Sequence, residues 1–223
     1  AGSADELCAF YVREAVLDHP SMIQERIIGP GTAVFALFDR DRPLALFSHR
    51  RLREKPPSGG VSVLSESIPL DEEMVEASVR LLSAIGWTGV AMVEFKRDRI
   101  DGRPKLMEIN GRFWGSLQLA IDCGVDFPAL LIDYMLGNKP RKTIRDYTIG
   151  HRLKWLLGTF DHLLIRMFNR DERLNLPLGL PSRAGSFIDF LKICEKDTTF
   201  DVADTKDIMP FLWELREYVR HLM

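Results

Sequence analysis

A chain of 223 residues with 46% hydrophobic side chains is long enough to bury a sizeable core, in one large domain or two small ones. Thirty basic against 32 acidic side chains leave a formal net charge of −2, which excludes a single-sign field drawing the whole protein to nucleic acid or membrane. Cys8, Cys123 and Cys194 are few, odd in number and widely spaced, so they suit neither a disulfide framework nor a zinc site, and a reducing cytoplasmic setting is the simplest. No apolar run reaches the roughly 18 residues of a membrane span, and no charged-then-apolar leader opens the chain.

Ser3 and Glu6 form a capping box, which predicts an amphipathic helix from about Ala4 to Leu17. A chain whose opening residues lack Met and form a helix cap at once reads as a cut from something longer, or as one that begins with a tag remnant. Ser21 to Ile27 is expected to be a strand, stopped by Gly29-Pro30-Gly31. Thr32 to Phe38 and Pro43 to Ser48 pair as a hairpin across Asp39-Arg40-Asp41-Arg42. A basic stretch, His49 to Lys55, leads into the loop Pro56-Pro57-Ser58-Gly59-Gly60, and Val61 to Ile68 is another strand. Asp71 to Ile85 is a helix with the apolar face Met74, Val75, Val79 and Leu82. After an acidic hairpin, Phe113 to Cys123 and Phe127 to Leu136 are short helices separated by Gly124. Beyond Gly137-Asn138-Lys139-Pro140 the character changes. His151 to Arg166 reads as an aromatic, basic helix, Asn169 to Gly185 is rich in turn formers, and Asp207 to Met223 closes the chain as a helix. This order implies an α+β fold, with mostly antiparallel strands and helices packed on them.

The acidic hairpin carries the most chemistry. Val90 to Phe95 and Leu106 to Asn110 have strand residues, and Asp101-Gly102 between them is a hairpin signal. A three-residue loop Ile100-Asp101-Gly102, with Gly102 left-handed, sets Glu94 opposite Glu108. Alternation then puts Met92, Glu94, Glu108 and Asn110 on one face, and Val93, Phe95, Met107 and Ile109 on the other. Two carboxylates facing each other repel, so a positive charge should sit between them. Three hard oxygen ligands with room for phosphate oxygens suit Mg²⁺. The bland reading is three solvated polar residues on a half-buried sheet. Arg112 weighs against it, since a guanidinium beside a dication suits a phosphate or a carboxylate. Trp114-Gly115-Ser116 then start a helix whose free N–H groups add to anion binding.

Other segments are more ambiguous. Gln24-Glu25-Arg26-Ile27-Ile28-Gly29 reads either as a strand ending in a glycine turn or as an adenine hinge, with Ile27 on the ring and Glu25 near a ribose or amino group. In the basic run, Arg50, Arg51 or Arg53 would hold phosphate or an acidic substrate, against the plainer reading of a solvated strand end. His151, Arg152, Lys154 and Trp155 are explained by helix amphipathicity as readily as by a second site.

Taken together, Gln24-Glu25 to Gly29, Val93-Glu94-Phe95 and Met107-Glu108-Ile109-Asn110-Gly111-Arg112-Phe113-Trp114-Gly115-Ser116 resemble the ATP-grasp superfamily. Within it the chain is similar to the carboxylate–amine ligase or carbamoyl-phosphate-synthetase-like group. Gly124-Val125-Asp126-Phe127-Pro128 and the run His49 to Arg53 with Ser58-Gly59-Gly60 fit the same group, and the likeness extends over about Met22 to Gly137. It implies ATP-dependent ligation, in which a carboxylate attacks the γ-phosphate to give an acylphosphate and an amine or similar nucleophile displaces phosphate. Residue by residue, Glu94, Glu108 and Asn110 would bind Mg²⁺, with Mn²⁺ as the substitute metal. Arg112 would hold the γ-phosphate or acylphosphate, and Gln24, Glu25 and Ile27 would line the adenine and ribose pocket of ATP.

The family pattern also has a preceding domain, two phosphate-binding lysines and a Gly-rich loop upstream of the hinge strand. Here only about twenty residues precede Gln24, and they read as a helix with no lysine and no Gly-rich loop. The expectation is the carboxy-terminal part of an ATP-grasp domain over 1–140, with a mainly helical extension over 141–223 packed on it. The first half of the fold is expected to be missing, and the fragment to be inactive alone. Its partners would be small-molecule carboxylate and amine substrates, the amino-terminal part of the same enzyme and, in a homodimer, a second copy. A catalytically inactive ATP-grasp-like binding module is the alternative.

Overall fold

The computed structural model describes residues 2–13, 22–169, 176, 180–192, 195–204 and 206–222. Helix α1 (Ala4–Arg13) starts on its capping box: Ser3 Oγ accepts the Glu6 N–H at 3.1 Å, and the Glu6 carboxylate accepts the Gly2 N–H at 2.6 Å. None of its residues is buried, and the expected continuation over 14–17 lies outside the described residues.

The expected strand before Gly29 is not there. Ser21 lies outside the described residues, and Met22 to Ile27 have no regular structure. Met22 and Ile23 are exposed, and only Ile27 is buried. A strand needs a partner's backbone as well as β-branched side chains. Contact with the sheet begins later, where the Ile28 carbonyl accepts the Arg99 N–H at 3.0 Å and the Pro30 carbonyl accepts the Arg97 N–H at 3.3 Å.

The sheet is built from β1 (Gly31–Asp39), β2 (Arg42–Lys55), β3 (Val61–Ser67), β4 (Thr88–Arg97), β5 (Pro104–Asn110), β6 (Arg152–Lys154) and β7 (Thr198–Phe200). Among the described residues the strand order is β5-β4-β1-β2-β3-β6-β7, antiparallel throughout except for the parallel pair β6 and β7. Strand β1 lies inside the sheet between β4 and β2, and Thr32 to Phe38 are buried without interruption because both sheet faces are covered. On one face Ala33, Phe35, Phe47 and Met92 pack against Trp114, α3 (Leu117–Asp122) and α4 (Phe127–Met135) through Leu119 and Phe127. On the other face Val34, Ala36, Phe38, Leu46, Val93 and Phe95 meet Met74, Val75 and Leu82 of α2 (Glu72–Ala84). Each large side chain so buried contributes about 1.5–3 kcal/mol. Helix α2 begins at the expected place, where the Asp71 carboxylate accepts the N–H groups of Glu73 and Met74.

The remainder comprises α5 (Leu156–Phe168), α6 (Arg183–Leu191) and α7 (Met209–Leu222). The helix expected from His151 starts at Leu156, because Arg152, Leu153 and Lys154 pair with Glu66, Ser65 and Leu64 of β3 and Leu153 enters the core. Strand β7 and helix α6 were not anticipated, and most of the turn-rich segment before α6 lies outside the described residues. The sheet thus continues past residue 140 through β6 and β7. Among the described residues no helix is long and apolar enough to cross a membrane.

Gly29 decides how the chain enters the sheet. A Cβ there would lie 1.8 Å from the carbonyl oxygen of Arg97, a backbone atom fixed in the β4–β5 pair. Gly29→Ala is therefore expected to lower unfolding stability by about 2 kcal/mol or more, measured by urea denaturation.

Candidate active site

The hairpin of β4 and β5 brings Glu94 opposite Glu108 and Met92 opposite Asn110, the expected register, but by a different route. The tip is not a three-residue loop. The Asp98 N–H donates to the Arg103 carbonyl at 2.9 Å, and Arg97 pairs with Pro104, so the turn spans Arg99 to Gly102. Gly102 does take the left-handed conformation, at φ 70°. The register then shifts between Glu94 and Phe95, where Phe95 faces Leu106 and Met107 is the extra residue of a bulge. The longer tip and the bulge offset each other, and the two carboxylates still meet on one rung.

A positive charge meets one member of this pair, Glu94, rather than lying between the two. Arg51 of β2 places Nη2 2.5 Å from Glu94 Oε2, and its Nη1 bonds Glu54 Oε1 at 3.0 Å and the Gly60 carbonyl at 3.2 Å. Burial opposes Arg51's charge, but Glu94 and Glu54 outweigh it and hold its pKa above the ordinary arginine value. Gly31, in the strand between, makes room: a Cβ there would lie 3.3 Å from Arg51 Cδ. Glu94 is buried at 8% exposure, whereas Glu108 is exposed. Along β5, Asn110 Nδ2 donates to Glu108 Oε1 at 2.7 Å, and Arg112 donates to Asn110 Oδ1 at 3.4 Å and to the Phe113 carbonyl at 3.0 Å. Glu108, Asn110 and Arg112 are therefore one hydrogen-bonded edge, with Glu94 facing Glu108 across the rung. Among the described residues no three His, Cys, Asp or Glu side chains gather into a metal site. The donor set here is two carboxylates and an amide, which as hard oxygen donors fit Mg²⁺.

The same sheet face holds a residue that sequence reasoning passed over. The cross-strand row runs Glu108, Glu94, Ala33, His49 and Ser67. His49 is 2% exposed, its ring centroid lies 4.6 Å from that of Phe35, and its Nε2 stands 2.7 Å from Ser116 Oγ. Phe35 in turn packs against Trp114, ring centroids 4.4 Å apart and planes tilted by 41°, and Trp114 meets Phe127 edge-on at 5.1 Å. These contacts anchor the turn from Arg112 to Ser116. Alternation of Phe47, His49 and Arg51 along one strand was the available signal, hidden by reading His49 to Lys55 as one basic run. The helix start at Ser116 differs from expectation. Helix α3 is only six residues, and the Leu117 and Leu119 N–H groups bond the Trp114 and Ser116 carbonyls.

The other candidates are distributed elsewhere. Arg50 points away from Arg51 and binds Glu66 Oε2 through Nε at 2.8 Å. Arg53 pairs with Asp189 at 3.3 Å, and Lys55 with Asp161. The basic run is thus sorted onto separate acids on both faces. Gln24 and Glu25 are exposed and, among the described residues, make no hydrogen bond to the acidic edge; Ile27 is buried. Arg152 binds Glu66 and Glu195, His151 meets Thr199, and Trp155 donates to Glu214, so that group serves packing between elements.

Residues 19–158 match the family model described as ATP-grasp in the biosynthetic pathway with Ter operon. The chain belongs to this ATP-grasp family. A search of the curated proteins finds no match. Among solved structures, the L-amino acid ligase from Bacillus licheniformis is 24% identical over 50% of this chain and 30% of that one, with TM-score 0.42. Pyruvate carboxylase from Rhizobium etli is 15% identical over 60% of this chain and 14% of that one, with TM-score 0.47. Biotin carboxylase from Campylobacter jejuni is 16% identical over 58% of this chain and 30% of that one, with TM-score 0.45. The ATP-grasp chain thus spans less than a third of each of these proteins.

Burial pushes the His49 pKa down to about 3, with Arg51 adding to the effect. The unfolded chain takes up this proton near pH 6.5 and the folded chain does not, so His49's contribution is complete above about pH 6.5 and is lost as pH falls toward 3. His162, also lowered by burial, acts in the same direction. Wild-type stability is expected to fall between pH 6.5 and 4, with His49 contributing about 1.4 kcal/mol per pH unit. His49→Phe is expected to flatten that slope, as measured by urea unfolding at each pH.

Proposed function

We propose that this chain carries the cation- and phosphate-binding edge of an ATP-dependent ligase that joins a carboxylate to an amine or similar nucleophile. The observation that carries the reading is the rung where Glu94 faces Glu108, continued by Asn110 and Arg112, in a chain of the ATP-grasp family. Glu94, Glu108 and Asn110 would hold Mg²⁺, or Mn²⁺ in its place. The ion supplies neutralisation of charge on the phosphate oxygens.

The reaction proposed is a two-step exchange. A substrate carboxylate oxygen attacks the γ-phosphorus of ATP, the bond from that phosphorus to the β,γ-bridging oxygen breaks, and ADP leaves. The acylphosphate so formed is attacked at its acyl carbon by the nucleophile, the acyl carbon–oxygen bond breaks, and inorganic phosphate leaves. Arg112, at the exposed end of the acidic edge, binds the equatorial oxygens of the phosphoryl group in both steps. Its chief contribution is positioning and charge compensation. The turn from Arg112 to Ser116 is held by the Trp114 packing and the His49 contact, which limits loss of orientation at Arg112. Gln24, Glu25 and Ile27, at the entry to β1, are proposed to line the adenine and ribose. Arg51, which bonds Glu94, is the basic-run residue proposed to meet the phosphates, whereas Arg50 bonds Glu66.

Glu108 is exposed, so its substitution tests function with little effect on folding. In the full-length protein that contains this chain, Glu108→Gln is expected to reduce ATP-dependent ADP release by about a hundredfold or more, roughly 3 kcal/mol in the barrier. Wild-type turnover in that variant would contradict the proposed role.

A further inference from the structure

The ion pair between Arg51 and Glu94 leads to an inference that rests on the cation site proposed above. Arg51 is divided among three acceptors: Glu94 Oε2 at 2.5 Å, Glu54 Oε1 at 3.0 Å and the Gly60 carbonyl at 3.2 Å. Its side chain is 16% exposed and those of Glu94 and Glu54 are 10% and 17%, so water screens these contacts poorly. Glu94 is therefore not an open ligand. One of its two oxygens is already bonded to a cation, and a divalent ion recruiting that carboxylate must compete with a guanidinium.

Arg51 also has somewhere to go. Glu54 lies three residues along the same strand and already accepts one of its nitrogens, and the missing Cβ at Gly31 leaves space along the arginine stem. Weakening the bond to Glu94 would leave Arg51 with a carboxylate and a carbonyl, which is cheaper than leaving a buried guanidinium unpaired. The carbonyl belongs to Gly60, at the end of the loop that joins β2 and β3.

We propose that Arg51 is an internal counter-ion competing with the divalent cation for Glu94, and that cation binding shifts Arg51 onto Glu54 and the Gly60 carbonyl. Loading of the acidic rung is thereby coupled to the loop Pro56 to Gly60. Arg51 acts here as a regulatory partner of the site, and its charge becomes available to phosphate only once Glu94 has been transferred to the ion.

The test is Mg²⁺ binding to the intact 223-residue chain by titration calorimetry, with no turnover required. Arg51→Met is expected to tighten binding about tenfold, the equivalent of one partly screened ion pair. Arg50→Met removes the same charge from the next residue, whose partner is Glu66, and is expected to leave binding within about twofold of wild type. Equal affinity in wild type and Arg51→Met, or equal tightening in both variants, would overturn the competition. Should Arg51→Met fail to fold, the wild type still decides the matter by nuclear magnetic resonance. Mg²⁺ should shift the Arg51 Nε–H and the amides around Gly60 together with Glu94, and a Glu94 shift without them would overturn the proposal. If neither protein binds Mg²⁺ and Glu94→Gln changes nothing, the cation site itself is wrong and the counter-ion role falls with it.

Discussion

Two carboxylates held on one antiparallel rung repel each other, and much of the candidate site is arranged around that repulsion. Glu94 is buried and cannot rely on water, so it is met by Arg51 from two strands away. Arg51 crosses β1 at Gly31, where a Cβ would lie 3.3 Å from its Cδ and crowd the stem. Glu108 is at the edge strand, where solvent and the amide of Asn110 reduce its charge density. The pair is thus asymmetric, with one member compensated from inside and the other from outside. A small, hard cation is the ligand that would relieve both.

The scaffold explains why this geometry is stable. Strand β1 is covered on both faces, so its neighbours β2 and β4 are fixed in register by two separate apolar layers. Slipping β4 by one residue against β1 would exchange Val93 and Glu94, burying a carboxylate against α2. The aromatic column of Phe35, Trp114 and Phe127 fastens the segment after β5 to the same layer. His49 is held toward its neutral form, because burial and the nearby Arg51 charge disfavour an imidazolium there.

Sequence alone carried some of this well. The central hairpin, the Asp71-capped helix and the Glu94–Glu108 rung follow from alternation, capping and turn chemistry, all of which are local. Failures occurred where pairing partners are distant. Met22 to Ile27 has strand residues but, among the described residues, pairs with no strand, and Arg152 to Lys154 has a helix-like flank but completes the edge of β3, some 90 positions earlier. The tip of the acidic hairpin was misread by one residue, and the bulge at Met107 cancelled the error, so the rung was right for an incomplete reason. The basic run was opaque because composition does not say which acid each arginine meets. Alternation separates Arg50 from Arg51, but only the fold supplies Glu66 for one and Glu94 for the other.

The proposed chemistry depends on the acidic rung binding a divalent cation. Paramagnetic Mn²⁺ added in small amounts to the isotopically labelled chain tests it directly, because amide signals broaden steeply with proximity to the ion. Ala33, Glu94, Glu108 and Asn110 are expected to broaden first, while Glu66 and Arg152, an ion-paired cluster on another part of the sheet, remain sharp. Broadening centred on Glu66, or spread evenly over the surface acids, would contradict it.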